Sequence, residues 1–259
     1  MSLFLEKIEV WNERRIEKRR LKKDFKMTKD GFLYKGIQSQ FRDDWEPLSR
    51  QIVVGASAFT KNFVNIGAHY GYYACLAGKH GMNITAFEPI DANFQMLRDN
   101  ISENKLCSQS RLIHGAVGQN TFLTKIYGAF SGATLLPENT KKPKSMSQVT
   151  QVFTLSDFTF MEFPTLFLID TEGFEVEVIK GASNLVETSN NNSWIIETSG
   201  TKLNELASIM EPYGYSIFHI GADKLTQVSK GSIGLSQYSG NFLFINLDTK
   251  DKLSLINRF

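Results

Sequence analysis

Two glycines, Gly67 and Gly71, close the apolar run NFVNI (62–66) with the spacing G-x-x-x-G, and Glu88 ends the next apolar run, NITAFE, 21 residues beyond Gly67. Glycine at a bend from strand to helix lets the chain turn sharply with a ligand against its backbone. A carboxylate at the end of the second strand is placed to accept the hydroxyl hydrogens of a ribose. The G-x-G-x-x-G turn that brings a pyrophosphate to a helix N-terminus is missing. The spacing therefore favours an adenosine ligand without pyrophosphate, S-adenosylmethionine, over a nicotinamide dinucleotide. Asn65, Gly67, Ala68, His69, Gly71 and Tyr72 on the turn, Glu88 and Pro89 after the second strand, and Ala116 after the third are the expected cofactor contacts.

A second group of chemically capable residues lies in LIDTEGFE (168–175), where Asp170 ends an apolar run and Glu172 falls in the turn that follows. Glu197 ends the next run, WIIET (194–198), and is expected to meet Asp170 across neighbouring strand ends. Acids converging in this way raise one another's pKa unless a cation or a shared proton compensates them. Transfer of a methyl group to a hydroxyl needs alignment of the reacting atoms and a group to take the hydroxyl proton. Asp170 and Glu172 are the candidate bases, with Glu197 as the third acid of the site. Glu175 and Glu177 lie farther along the helix, where the ordinary reading is a salt-bridged or solvated position. No metal is expected: three acids without a close-set ligand pattern are a poor magnesium site, and the scattered His69, His80, His114 and His219 offer no zinc spacing. Neither a GxSxG turn nor a GxxxxGK[ST] loop is present.

The elements that must position these residues follow from periodicity. Short apolar runs alternate with amphipathic segments from about Lys61: helices are expected over about 71–80, 91–103, 173–180 and 203–213, with Asp91 as the N-cap of the second. RLIHGAV (111–117) reads as one strand, and YSIFHI (215–220) and NFLFINL (241–247) as a closing antiparallel pair. This alternation predicts an α/β fold whose mostly parallel sheet is covered by helices on both faces and binds ligands at the strands' carboxyl ends. Residues 118–150 break the rhythm and read as an insertion over that end, the usual place for a lid. A charged helix and a short hairpin, Asp30 to Gly36, precede the domain, so the expected division is 1–60 and 61–259.

Composition bounds the rest. The chain has 259 residues, 42% hydrophobic and 22% charged, which suits a packed globular core and excludes disordered and collagen-like chains. No apolar stretch approaches the ~18 residues of a membrane-spanning helix, and the start of the sequence becomes charged too early for a signal peptide, so a cytoplasmic protein is expected. Cys75 and Cys107 form no disulfide or thiolate-metal pattern. Residues 1–29 hold ten Lys/Arg against five Asp/Glu and leave the remainder slightly acidic. The basic run 14–23 is either a solvated helix face or an arm for an anionic surface.

Taken together, FVNIGAHYGYY, AFEP (86–89), NKL (104–106) with HGAVG (114–118), LIDTEGFE, Gly181, IIET (195–198), GYSIF and NFLFI resemble, in consistent order, the motifs of the FkbM family of S-adenosylmethionine-dependent methyltransferases. LIDTEGFE is similar to the family's Asp-x-Glu-Gly-x-Glu signature. The resemblance implies a Rossmann-like class I methyltransferase fold with seven strands, mostly parallel, the last antiparallel. It further implies an O-methyltransferase acting on a small-molecule or glycan hydroxyl, a sugar above all, with Asp170 also touching the methionine part of the cofactor and Glu172 left as the base. Asn65 stands where the family usually has an acid and His69 where it has Asn. Those departures keep a catalytically degenerate binding module open. A nucleic-acid methyltransferase using the basic arm is a further alternative, against which the acidic body counts. Residues 30–50, 118–150 and 221–240 are expected to supply the acceptor's contacts.

Overall fold

The computed structural model describes residues 2–128, 132–138, 145–159, 164–188, 192–229 and 238–259. In chain order, α1 (Ser2–Leu21) leads to the hairpin strands β1 (Lys26–Met27) and β2 (Leu33–Tyr34), and α2 (Pro47–Ala56) to β3 (Asn62–Ile66) and α3 (Tyr72–Lys79). Next come β4 (Asn83–Glu88), α4 (Asp91–Glu103), β5 (Ser110–His114), β6 (Ala116–Val117), β7 (Phe122–Tyr127) and β8 (Ser147–Phe153). The second half comprises β9 (Thr165–Ile169), α5 (Glu175–Lys180), α6 (Ser183–Glu187), β10 (Asn192–Ser199) and α7 (Gly200–Met210). The chain closes with β11 (Ser216–Ile220), β12 (Leu225–Val228), β13 (Ser239–Ile245) and α8 (Lys250–Ile256).

Eight strands form the main sheet in the order β12-β11-β13-β10-β9-β3-β4-β5. The five from β10 to β5 are parallel, and β13 runs antiparallel to both β10 and β11. The expected antiparallel last strand is thus present, and the sheet has one strand more than the seven expected. β12 is that addition: its sequence LTQV alternates too briefly to read as a strand, yet it pairs antiparallel along β11 at the edge. RLIHGAV is two strands instead of one. The chain breaks at Gly115, β5 stays in the main sheet, and β6 pairs with β8 in a separate three-stranded sheet with β7. Strand β7 and the start of β8 fall in the 118–150 insertion, of which 129–131 and 139–144 lie outside the described residues.

Strands β3 and β9 are buried along their whole length, as near-continuous apolar runs flanked by helices on both faces should be. One face packs on α2, α3 and α4 through Ile52, Phe63, Leu76 and Leu97, the other on α5 to α7 through Trp194, Val178 and Leu206. Fully burying each such side chain contributes about 1.5–3 kcal/mol. The charged start folds as α1, on which Ile8, Trp11 and Ile16 are exposed while Leu21 packs on the core. Among the described residues no helix is long and apolar enough to cross a membrane.

Helix α2 has no counterpart among the expected elements, although Pro47 at its first turn is a start signal. Asp91 is also corrected. Ile90 is the capping residue and Asp91 the first helical one. Its carboxylate accepts from Gln148 Nε2 and pairs with His114 Nε2, both at 3.1 Å. Helix α5 starts at Glu175, not at Gly173, since Glu172 and Gly173 both have left-handed φ values of 53° and 112°.

Candidate active site

Strand register builds the site. Ile66 lies opposite Ile169 and Ile169 opposite Ile196, so the next residues along, Gly67, Asp170 and Glu197, emerge side by side at the carboxyl end of the sheet. A cleft of about 210 Å³ opens there. Asn65, Gly67, Ala68, His69, Tyr72, Glu88, Pro89, Ala116, Asp170, Glu172 and Glu197 all line it. Of the expected residues only Gly71 does not. It sits behind the turn at φ 81°, where a side chain would strike Leu97 Cδ1 at 2.4 Å.

The turn itself is tightly tied. The amides of Gly67 and Ala68 both donate to the Phe87 carbonyl at 3.0 and 2.9 Å, and that of Asp170 donates to Ile66 at 3.0 Å. Gly67 has φ 77° and its α-carbon faces the Asp170 carbonyl so closely that a Cβ would lie 1.8 Å from the oxygen. Residue 69 is left-handed as well, at φ 51°. Asn and His both tolerate that region better than most residues, which accounts physically for His at a position where the family usually has Asn. The His69 ring stacks on Tyr70 with 3.8 Å between centroids.

Glu88 is 3% exposed and accepts three hydrogen bonds: from the His69 amide (2.7 Å) on Oε2, and from the Ile90 amide (2.9 Å) and Asn93 Nδ2 (3.2 Å) on Oε1. A carboxylate has about four acceptor positions. About one remains for a hydroxyl in the cleft, not the two that a full clasp of a ribose diol uses. Burial pushes the Glu88 carboxyl up to about 7 against the pull of its three donors.

Across the cleft Asp170 and Glu197 hydrogen-bond each other, and both carboxyls lie above the ordinary range. Burial is the first cause for each. For Asp170 the neighbouring charges of Glu197, Glu172, Glu46 and Glu175 add to it. Two such acids side by side favour holding a proton between them over carrying two full charges. Glu46 was not anticipated from the sequence. It is held at φ 42° before Pro47, accepts from the Tyr73 hydroxyl and from Asn241 Nδ2 (3.5 Å), and its carboxyl is also raised, chiefly by burial.

Glu172 is held from three sides. Glu175 Oε1 accepts from Thr171 Oγ1 (2.9 Å) and the Gly173 amide (2.7 Å), Lys202 Nζ donates to the Gly173 carbonyl (2.6 Å), and Thr134 Oγ1 donates to the Glu172 carbonyl (3.0 Å). Lys202 Nζ also lies 3.6 Å from Glu175 Oε2. The expected salt-bridged reading of Glu175 is met, and its second task is to fix the loop that carries Glu172. Glu177 pairs with Lys180 at 3.7 Å, outside the cleft. Among the described residues no group of three His, Cys, Asp or Glu is arranged to hold a metal ion.

The expected acceptor regions contribute unevenly. Ile37, Gln40, Trp45 and Glu46 come from 30–50, and Ile126, Ala133 and Leu135 from 118–150. From 221–240, no described residue lines the cleft, and 230–237 lie outside the described residues.

Comparison with known proteins adds a family to this geometry. No curated protein sequence matches the chain. Among solved structures, a methyltransferase FkbM from Methylobacillus flagellatus KT superposes with a TM-score of 0.50 at 17% identity, covering 71% of this chain and 43% of that one. The chain thus spans less than half of that protein's length. A precorrin-6y C5,15-methyltransferase from Geobacter metallireducens GS-15 superposes with a TM-score of 0.44 at 12% identity, covering 85% of this chain and 91% of that one. At 17% identity the likeness to the first of these is one of fold. The model of the methyltransferase FkbM domain matches residues 65–217, from the buried Asn65 of β3 to β11, more than half of the chain and both arms of the cleft. The chain belongs to the FkbM methyltransferase family.

Proposed function

We propose that the protein is an S-adenosylmethionine-dependent O-methyltransferase whose acceptor is a hydroxyl of a sugar or glycan. The observation that carries this reading is the row Gly67–Asp170–Glu197, which puts the glycine turn, the buried Glu88 and the acid group around one cleft. The residues fit the cofactor. Ala68, Pro89, Ile90, Ala116 and Val117 add apolar wall suited to a purine, Glu88 keeps an acceptor position for a ribose hydroxyl, and Asn65 and Asp170 line the same cleft with oxygen acceptors. Bound there, the cofactor supplies an electrophilic methyl carbon.

The chain's own residues supply position and proton transfer. Glu172, presented on its clamped left-handed turn, takes the proton of the acceptor hydroxyl. The Asp170–Glu197 pair, both carboxyls raised chiefly by burial, disfavours two full negative charges on the floor of the cleft. No Lys or Arg lines the cleft among the described residues.

Isothermal calorimetry with S-adenosylmethionine tests the cofactor: failure of the intact protein to bind it sinks the proposal. Glu172→Ala is expected to bind the cofactor normally and to turn over about 10²–10⁴-fold more slowly. Lys202→Met is expected to change cofactor affinity less than threefold but to slow turnover about 10- to 100-fold by loosening the loop that aims Glu172. Faster hydrogen exchange at the Gly173 amide should accompany it. An unchanged exchange rate means that Lys202 does not hold that loop.

A further inference from the structure

The glycine turn between β3 and α3 is held from behind by α4. Asn100, fully buried on that helix, donates one Nδ2 hydrogen to the Tyr70 carbonyl (2.7 Å) and the other to the Lys35 carbonyl (3.0 Å), while its Oδ1 accepts from the Lys35 amide (2.8 Å). We infer that Asn100 is a positioning residue for the cofactor: through the Tyr70 carbonyl it fixes the shape of the turn, and the backbone beside hairpin strand β2 sets its own aim. The inference rests on the methyltransferase reading and adds to it a determinant of cofactor affinity that does not line the cleft.

The backbone of the turn explains why it needs such a hold. Gly67, His69 and Gly71 all have left-handed φ, at 77°, 51° and 81°. A residue other than glycine keeps that conformation only where its surroundings enforce it. For His69 one restraint is Glu88 Oε2, which accepts from its amide at 2.7 Å. The peptide joining Tyr70 to Gly71 is the weak point, because glycine takes positive and negative φ about equally and so does not resist rotation of that peptide. Two bonds oppose the rotation: Asn100 holds the carbonyl end, and the Ala68 carbonyl accepts from the Gly71 amide at 2.8 Å. The residues on either side of this peptide, Gly67, Ala68 and His69 before it and Tyr72 after it, line the cleft. Turning the peptide over therefore displaces the wall against which the cofactor rests.

The direction of the Asn100 amide is built in as well. A side-chain amide carries two donor hydrogens and one acceptor oxygen. Lys35 engages the oxygen through its N–H and one hydrogen through its carbonyl, which leaves the second hydrogen for Tyr70. Asn104, one turn farther along α4, grips the hairpin in the same manner: its Oδ1 accepts from the Leu33 amide (2.9 Å) and its Nδ2 donates to the Leu33 carbonyl (2.6 Å). Two asparagines thus stand in for a neighbouring strand at alternate residues, 33 and 35. Asn104 places its remaining bonds on the Asn100 carbonyl and Cys75 Sγ, so of the two Asn100 alone reaches the turn. Asn104 is the matched control.

Asn100→Ala and Asn104→Ala, compared by calorimetry with S-adenosylmethionine and by amide hydrogen exchange, test this. Each variant loses one grip on the hairpin, and both are expected to unfold at a lower urea concentration than the wild type. Asn100→Ala is expected to bind S-adenosylmethionine at least about fivefold more weakly than Asn104→Ala, the worth of one hydrogen bond, and to exchange its Gly71 amide faster. A smaller gap in affinity, or a Gly71 amide that exchanges alike in the two variants, overturns the inference. Should Asn100→Ala fail to fold, the unmodified protein decides. Saturation with S-adenosylmethionine is expected to slow exchange of the Asn100 side-chain amide hydrogens and to leave those of Asn104 unchanged, and an equal response of the two overturns the inference. Failure of the unmodified protein to bind S-adenosylmethionine is a separate result: it overturns the methyltransferase reading itself.

Discussion

Gly67→Ala is expected to eliminate cofactor binding and to lower the free energy of unfolding by about 2–4 kcal/mol. The added methyl would stand 1.8 Å from the Asp170 carbonyl oxygen and 2.9 Å from its carbon, at a backbone φ of 77°. Neither side can yield cheaply. The Gly67 and Ala68 amides are bonded to Phe87, and the Asp170 amide to Ile66, so relief requires parting β3 from β9 at the centre of the sheet. Gly81→Ala is the matched control, because φ is 80° there and nothing lies within 4 Å of the new atom. It should cost about 1 kcal/mol of backbone strain and leave binding intact. Urea titration and calorimetry on both variants check the pair, and wild-type affinity in Gly67→Ala would mean that the ligand does not rest on this turn.

Glu88 gives the second large effect, and it is a pH effect with two opposite signs. Its folded carboxyl is raised from 4.5 to about 7. A raised value means that the folded protein holds the proton more readily than the unfolded chain, so the contribution to stability is full below pH 4.5 and lost as pH rises through about 7. Over that window the stability of the wild type relative to Glu88→Gln is expected to fall by about 3 kcal/mol. Taking the difference between the two proteins removes the similar trend from Asp170 and Glu197. Cofactor affinity should move the other way. A ribose hydroxyl donates to the ionised form, so affinity is expected to climb up to about tenfold per pH unit until about 7, and to level off above it. Denaturant titrations and calorimetry at matched pH values measure both slopes. A flat affinity profile would remove Glu88 from the cofactor's contacts.

How much of this was legible depends on where each residue's partner lies in sequence. The order of β3, α3, β4, α4, β5, β9, α5 and β10 was readable because each of these elements carries its own period, and with it the placement of Glu88, Asp170 and Glu197 at strand ends; β7, β8 and α6 were not read. The alignment of those ends into one row follows from parallel pairing. Trp45, Glu46 and Asn241 were not readable as site residues. Asn241 reaches the cleft through antiparallel register with Glu197, a pairing that no local pattern contains. Glu46 enters through a left-handed φ that Glu seldom adopts, and Pro47 behind it signals a helix start without saying where the preceding side chain will point. The two missed changes to the strands have similar origins. LTQV is too short to show alternation, and Gly115 ends β5 because a side chain there would meet Phe153 at 2.6 Å, a neighbour supplied by the insertion.

The meeting of Glu46 with Asn241 also bears on how the molecule is made. These two positions are 195 residues apart, and one side chain bonds the other only when β13 has slotted between β10 and β11. Contacts of such long loop span form late, after the entropy of closing the chain has been overcome. During synthesis, a nascent polypeptide that has reached β10 already possesses the glycine bend and its carboxylates but lacks the wall opposite Trp45. The part of the cleft wall that carries Asn241 thus arrives only with that late strand.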